Sequence, residues 1–332
     1  MQIDSTRGHL WAVILAGGDG VRLRELARQF SGDSRPKQFC RFFGDKSLLT
    51  HTRERIAPLI PAEQTFFALT HAHEAYYCAD LPDVVHSRRV VQPTNRGTAV
   101  AITLCLQTIV REDADAIVAF FPSDHHYLDN EAFRTYVYEG LRVAEEYPNS
   151  IFTLGEEARY PEVEYGWIQP GRALTDSATN RLHRVSRFWE KPPLRQAMLL
   201  QRRRCLWNTF VMIGLASAFL EILEATVPQL VRSLRTGDFG GELAETYRDI
   251  SAADFSRDVL ARVPDRILVL CGESLGWTDL GTERRLLETL ALTDGYRAGS
   301  SDLAGLPPVS APGQRIVGRN VHYSPGPMAR EE

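Results

Sequence analysis

The chain has 332 residues, 44% of them hydrophobic and 24% charged, so it is long enough for one large domain or two smaller ones with a sizeable core. Its 38 basic and 42 acidic residues sum to −4, which excludes a bulk polycation that grips nucleic acid by overall charge but allows a local basic pocket. Apolar runs such as Ala116–Phe121 stop at about six residues, far short of the ~20 that span a bilayer, so no membrane partner is expected. Met1–His9 is polar and carries Asp4, with no secretory leader visible. Cys40, Cys78, Cys105, Cys205 and Cys271 are dispersed and odd in number, without a C-x-x-C pair. That pattern favours reduced thiols in the cytoplasm over disulfides or a zinc site.

In chain order, Leu10–Ala16 is a short apolar run ending in glycines and reads as a buried parallel strand. A helical stretch, Val21–Phe30, follows the glycines. Thr65–Leu69 reads as a strand, Thr98–Val110 as a helix, Ala116–Phe121 as a strand and Glu131–Tyr147 as a helix. Ile151–Leu154 and Arg184–Phe188 read as strands, Ala216–Ala225 as a helix, Arg266–Leu270 as a strand and Thr282–Leu292 as a helix. This alternation predicts an α/β fold, Rossmann-like, with a mainly parallel sheet flanked by helices. From Gly299 onward prolines and glycines such as Gly305, Gly313 and Gly326 crowd together. The expected division is therefore a catalytic domain over 1–298 and a Pro/Gly-rich tail over 299–332, with one short strand at Arg315–Val317.

Gly17-Gly18-Asp19-Gly20-Val21-Arg22 lies between the first strand and a helix. Glycines there let backbone approach a ligand closely, and free N–H groups at a helix start favour an anion. Arg22 adds a planar fork suited to phosphate oxygens. The dinucleotide fingerprint fails, because the third glycine would fall on Leu23, and the Walker pattern is not matched either. A tight strand-to-helix turn without a ligand is the competing reading of the glycines alone. Downstream, Ser34-Arg35-Pro36-Lys37-Gln38-Phe39 carries a proline that keeps Arg35 out of helix. An extended segment there can fold back over the glycines and bring two cations to an anion-ready turn; solvated surface charges are the alternative.

Two carboxylates end strand-like or loop segments. Asp124, in Phe120-Phe121-Pro122-Ser123-Asp124-His125-His126, sits beyond the carboxyl end of a strand, where open α/β sheets bind ligands. It is placed to hold Mg²⁺, which shares oxygen ligands with substrate phosphates, or to cap a turn. His125 and His126 are neighbours in an extended segment and point oppositely, so they do not form a joint metal site. Asp279, in Gly276-Trp277-Thr278-Asp279-Leu280-Gly281-Thr282, sits just before a helix and is either a ligand or part of a cap.

Taken together, Leu15-Ala16-Gly17-Gly18-x-Gly20-x-Arg22-Leu23 and Arg35-Pro36-Lys37-Gln38-Phe39 resemble the signature of sugar-nucleotide pyrophosphorylases, closest to the mannose-1-phosphate guanylyltransferase branch and to its short form without an isomerase domain. Six further segments agree in order: Gln92-Pro93-Thr94-Asn95-Arg96-Gly97-Thr98-Ala99 with E-P-x-x-R-N-T-A, Glu164-Tyr165-Gly166-Trp167-Ile168 with G-Y-G-Y-I, Phe188-Trp189-Glu190-Lys191-Pro192 with F-V-E-K-P, Trp207-Asn208-Thr209 with W-N-S, and the two aspartate segments with P-x-D-H and G-W-x-D-x-G. The resemblance implies that Gly17, Gly18 and Gly20 wrap a nucleoside triphosphate, with GTP as the expected nucleotide, and that Arg22 and Lys37 contact its phosphates. It implies that Thr98 and Ser123 line the nucleotide site, and that Asp124 and Asp279 hold Mg²⁺. Gly166, Glu190 and Asn208 are implied at the sugar, with Lys191 on the phosphate of a sugar 1-phosphate, expected to be mannose 1-phosphate. A homodimer is the assembly the resemblance leaves open. The sequence departs from the family at Arg24-Glu25-Leu26-Ala27-Arg28 for W-P-L-S-R, at Gly97 for Asn, at Phe210 for Gly and at Glu283 for Trp.

The implied reaction is attack of a sugar 1-phosphate oxygen on the α-phosphorus of the triphosphate, with pyrophosphate leaving. A phosphate monoester with a second pKa of ~6 is already an anion, so no protein general base is required. Transfer of uridylyl or thymidylyl to another sugar 1-phosphate, or catalytically silent binding of a sugar nucleotide by a regulatory protein, are the alternative functions.

Overall fold

The computed structural model describes residues 7–174, 181–235, 243–271 and 274–293; the tail at 299–332 and the strand expected at Arg315–Val317 lie outside them. The first strand, β1 (Leu10–Leu15), alternates its side chains between two cores. Leu10, Ala12 and Ile14 face one and Trp11 and Val13 the other, as a pleated strand buried on both faces requires. After it come α1 (Arg24–Ser31), α2 (Leu48–Ile56), β2 (Thr65–Thr70), α3 (Glu74–Asp80), β3 (Arg89–Gln92), α4 (Thr98–Glu112), β4 (Ile117–Pro122) and α5 (Asn130–Glu146). The second half holds β5 (Ile151–Glu157), β6 (Gly166–Ala173), β7 (Leu182–Glu190), α6 (Leu194–Arg202), β8 (Leu206–Leu215), α7 (Ala216–Thr226), α8 (Pro228–Arg235), α9 (Leu243–Asp249), β9 (Ile267–Cys271) and α10 (Glu283–Leu292).

Among the described residues the strands form one sheet in the order β3-β2-β1-β4-β8-β5-β9-β7-β6. Helices α2, α3 and α5 cover one face through Leu49, Ile56, Tyr77, Phe133 and Val137. Helices α4, α7 and α8 cover the other through Val100, Leu104, Phe219, Ile222 and Val231. The Rossmann-like, helix-flanked α/β architecture expected from the alternation is present. The expectation of a mainly parallel sheet holds only for part of it. β3, β2, β1 and β4 are parallel and so are β5 and β9, whereas β8 runs against β4, β5 and β6, and β7 runs against β6 and β9. For one pair the cause is local: Ala173 and Leu182, the end of β6 and the start of β7, are too close in sequence for the crossover a parallel pair needs, so the two strands pair as an antiparallel ribbon.

Boundaries of the expected elements differ by up to three residues from the periodicity, as where β5 runs on from Leu154 to Glu157. One difference matters for the site. The stretch expected to be a helix over Val21–Phe30 opens as a separate 3₁₀ turn, Val21–Leu23, before α1 begins. Gly20 at its start has φ +57, a left-handed conformation that glycine adopts without steric cost.

A third, smaller core joins the beginning of the domain to its end. Leu26 and Ala27 of α1 pack with Leu286, Leu287 and Leu290 of α10 and with Phe42 and Leu280. This contact brings the segment bearing Asp279 against the segment that follows the glycine loop.

Candidate active site

A cavity of about 400 Å³ opens at the carboxyl ends of β1 and β4. Its walls include Gly17, Gly18, Arg22, Thr98, Ser123, Asp124, Gly166, Glu190, Lys191, Asn208 and Asp279. Residues scattered over most of the chain therefore face one space, and of the thirteen expected site residues only Gly20 and Lys37 lie behind its walls.

The glycine loop and the Pro36-Lys37-Gln38 segment are built against each other. A Cβ on Gly20 would lie 2.7 Å from the backbone nitrogen of Lys37, and one on Gly17 would lie 2.9 Å from Thr70 Oγ1. Gln38 is buried and its Nε2 donates to the carbonyls of Ala16 and Gly18, at 2.9 and 2.8 Å. Those bonds tie the loop to the Pro36-Lys37-Gln38 segment. Sequence reasoning quoted Gln38 only as a motif letter; its role appears once the two segments meet. Arg35 turns outward, where Asp33 holds it through both carboxylate oxygens at 2.8 and 2.9 Å and Tyr76 lies under its guanidinium. Of the two cations in that motif, only Lys37 reaches the site.

Lys37 sits beneath the carboxylates. Its Nζ lies 2.7 Å from Asp124 Oδ2 and donates to the backbone carbonyl of Asp279. The two aspartate segments are zipped together by reciprocal backbone bonds between His126 and Thr278, at 2.9 and 3.0 Å. Burial pushes the Asp124 carboxyl up, but Lys37 and His125 outweigh it and hold it below the ordinary carboxylate value. Burial lowers the His125 imidazole, and Trp277 Nε1 donates to His125 Nδ1 at 3.2 Å. His126 points elsewhere and stacks on Phe43 at 4.4 Å between ring centres. The two histidines diverge as expected.

Asp279 lines the same cavity. Its Oδ1 accepts from Gly281 N at 2.8 Å and from the Tyr165 hydroxyl at 3.1 Å, and Arg285 Nε lies 3.1 Å away. The cap of α10 is supplied by Thr282, whose side chain accepts from Arg285 N, so capping is not the task of Asp279. Two carboxylates, each with an oxygen outside these bonds, are a hard-oxygen donor set suited to Mg²⁺, which draws its other ligands from water and phosphate. Among the described residues no cluster of three or more His, Cys, Asp or Glu side chains forms a complete protein cage.

The other half of the cavity is shaped by irregular backbone. Between β5 and β8 the register slips: Thr153 pairs with Met212, yet Gly155 pairs with Asn208. The resulting bulge leaves Phe210 at φ +62, an unusual conformation for a residue with a Cβ, and turns both Asn208 and Phe210 to the cavity. Asn208 Oδ1 accepts from Thr153 Oγ1 and Phe210 N at 3.0 and 3.1 Å, which leaves its NH₂ group as a donor. Lys191, at φ +46, follows the end of β7, and its Nζ is 3.7 Å from Glu190 Oε1. Burial, reinforced by Asp254, raises the Glu190 carboxyl from 4.5 to about 7.

Some expected residues have structural duties. Ser123 Oγ donates to the Leu15 carbonyl at 2.7 Å and ties β4 to β1. The Thr98 hydroxyl accepts from Phe255 N at 2.8 Å, while Ala253 accepts from Ala99 N at 3.0 Å, so the segment beginning at Ala253 closes over the start of α4. That closure explains Gly97. Its φ is +91, and a Cβ there would lie 2.3 Å from the Ala253 carbonyl oxygen, so asparagine does not fit this backbone. Asp254 and Ser256, on the same segment, line the cavity and carried no recognisable sequence signal. The roles of Glu164 and Arg285 were missed as well: Glu164 was quoted only as the first letter of a matched segment, and Arg285, inside a helix, carries no motif of its own.

The glycine turn, the carboxylates at the strand ends and the mixed nine-stranded sheet together define a nucleotide-handling α/β transferase. Residues 11–294 match the nucleotidyl transferase family model, and the chain belongs to that family. It is 30% identical over 292 residues to the mannose-1-phosphate guanylyltransferase of Escherichia coli, a match covering 84% of this chain and 59% of that protein. It is 29% identical over 287 residues to the xanthan biosynthesis protein XanB of Xanthomonas campestris, covering 83% and 58%. The crystal structure of mannose-1-phosphate geranyltransferase from Thermus thermophilus superposes with a TM-score of 0.73 at 30% identity, covering 84% of this chain and 79% of that one. The chain thus spans 59% of the length of the E. coli protein it matches. No helix among the described residues is long and apolar enough to cross a membrane.

Proposed function

We propose that the protein transfers a guanylyl group from GTP to mannose 1-phosphate, forming GDP-mannose and releasing pyrophosphate. The observation that carries this reading is the meeting of the glycine loop, Lys37, Asp124 and the Asp279 segment at one cavity whose opposite wall carries Glu190, Lys191 and Asn208. The names of the E. coli and Thermus relatives point to the same sugar phosphate.

Two phosphorylated substrates repel each other: like unit charges 4 Å apart repel by ~4 kcal/mol at an effective dielectric of 20. Catalysis of phosphoryl transfer is mostly neutralisation and alignment. In this reading Arg22 and the backbone N–H groups of the glycine turn hold the triphosphate. Lys37 keeps Asp124 ionised and ties it to the Asp279 segment. Lys191 holds the sugar phosphate, while Glu190 and the Asn208 amide orient sugar hydroxyls. Asp124 and Asp279 would hold Mg²⁺, which when bound supplies charge neutralisation at the reacting phosphates. The sugar-phosphate oxygen attacks as an anion, and no side chain need remove a proton. The reading places the catalytic unit within 1–298, the protein in the cytoplasm and its assembly as a homodimer, which sedimentation of the purified chain checks.

Pyrophosphate release, measured for each pairing of GTP, UTP, dTTP and ATP with mannose, glucose and heptose 1-phosphates in Mg²⁺ buffer, tests it. The expected result is fastest release with GTP and mannose 1-phosphate. Silence with every pair sinks the reading, and tight sugar-nucleotide binding without turnover would make the protein a regulatory binder. A second reading, a different base or sugar, is favoured by Gly97 at the start of α4 and by the Phe210 ring on the cavity wall. Faster turnover with UTP or dTTP identifies it.

A further inference from the structure

Arg22 stands at the cavity mouth with its side chain about half exposed, 49%. A long arginine side chain in that position, left to itself, samples many rotamers, and fixing it costs rotamer entropy. Here it is fixed. Arg22 Nη1 lies 2.5 Å from Glu164 Oε2. The same oxygen accepts from Arg285 Nη2 at 3.1 Å.

Arg285 is the buried end of this chain of contacts, with a side-chain exposure of 2%. Glu162 binds its Nη1 at 2.5 Å, Asp279 lies 3.1 Å from its Nε, and the Tyr165 ring stacks on its guanidinium at 4.8 Å. Burial works against its charge, and Asp279, Tyr165 and Glu162 outweigh burial to hold it protonated. The backbone around it is equally settled, because α10 packs through Leu286, Leu287 and Leu290 into the small third core. Glu164 stands where the G-Y-G-Y-I motif has its first glycine, so this chain adds a carboxylate at that point and pairs it with a buried arginine.

An exposed ion pair on its own contributes little, because both side chains must be ordered to make it. This one differs, since one partner is anchored before Arg22 arrives. Resting on the function proposed above, we infer that Glu164 and Arg285 are positioning residues for the polyphosphate arm. Arg285 fixes Glu164, Glu164 fixes one nitrogen of Arg22, and the other guanidinium donors of Arg22 are presented to phosphate oxygens. Because Arg285 also touches Asp279, one buried guanidinium sets the place of both a phosphate-binding arm and a metal-binding carboxylate.

Pyrophosphate with Mg²⁺ is a probe that does not depend on which base or sugar the protein reads. Its affinity for the full-length chain is measured by calorimetry for the wild type, Glu164→Gln, Arg22→Ala and the double variant. Glutamine keeps the shape of Glu164 and removes its charge, so Glu164→Gln is expected to fold with an unchanged melting temperature. It should bind pyrophosphate about fivefold more weakly, the scale of one ordered ion pair. Adding Glu164→Gln to Arg22→Ala should cost nothing more, because Glu164 acts through Arg22. In steady state the KM for the nucleotide should rise while the KM for the sugar phosphate stays put. Wild-type affinity in Glu164→Gln, or a double variant whose loss is the product of the two single losses, overturns the relay alone. A wild-type chain that binds no pyrophosphate overturns the relay together with the functional reading beneath it.

Discussion

The two halves of the sheet build their parts of the cavity by different means. On the side of β3, β2, β1 and β4, parallel strands end at one level and hand the chain to glycine turns and helix starts. On the side of β6, β7 and β8, antiparallel strands would carry side chains past the cavity, so the backbone is distorted to aim them: a bulge at Asn208–Phe210 and positive φ at Lys191 and Phe210. The first half gains its site from regular geometry, and the second gains it from exceptions to regular geometry. Under the proposed function the parallel half would hold the nucleotide and tolerate little change in its turns, and the antiparallel half would hold the sugar and have more freedom to be reshaped.

The sharpest way to break this comparison is at the carboxylate where the halves meet. Asp124→Asn is expected to lower kcat by about three orders of magnitude, as loss of a charged ligand at a phosphoryl-transfer centre does, with the fold unchanged by circular dichroism. Near-normal turnover would remove Asp124 from the metal site and leave the two halves without a shared centre. A smaller effect is expected in the turn of the nucleotide half. Gly97→Asn must adopt φ +91 and meet the Ala253 carbonyl, so it should destabilise the chain by about 2–3 kcal/mol in urea unfolding. An unchanged midpoint would mean that this turn is as adaptable as the bulge.

The smallest effect concerns pH and the sugar half. The Glu190 carboxyl is raised from 4.5 to about 7. Below pH 4.5 it is protonated whether the chain is folded or not. Between 4.5 and about 7 the folded chain keeps a proton that the unfolded chain has released, so this group's contribution to stability falls as pH rises through that window and is level above it. Glu190→Gln should flatten that slope in urea midpoints measured at each pH. An identical slope in the variant would show that Glu190 is not the residue under strain.

The same division governs what could be read from sequence. β1, the glycine turn and the strand-end Asp124 follow from apolar runs and their punctuation, because regular parallel strands place function at their ends. The segments that bear Gly166, Glu190 and Asn208 were legible only as a resemblance to a family. Periodicity alone made Leu182–Glu190 a shorter strand and gave no sign that Gly166–Ala173 and Leu206–Leu215 were strands at all. Nothing local in Leu206–Leu215 announces a bulge; it arises from slipped pairing with β5, which is tertiary information. Gln38, Glu164 and Arg285 were invisible for a related reason. Each acts on a partner distant in sequence, Arg285 on Glu162 across 123 positions, and no spacing rule spans that gap.

The small core that joins α1 to α10 also sets a clock on synthesis. The glycine turn leaves the ribosome near the beginning of translation, and its neighbouring helix can meet Cys40, Phe42 and Leu48 early but Leu280 and Leu286–Leu290 only late. The core between α1 and α10 is therefore completed only when the last described helix has been made and closes on the first.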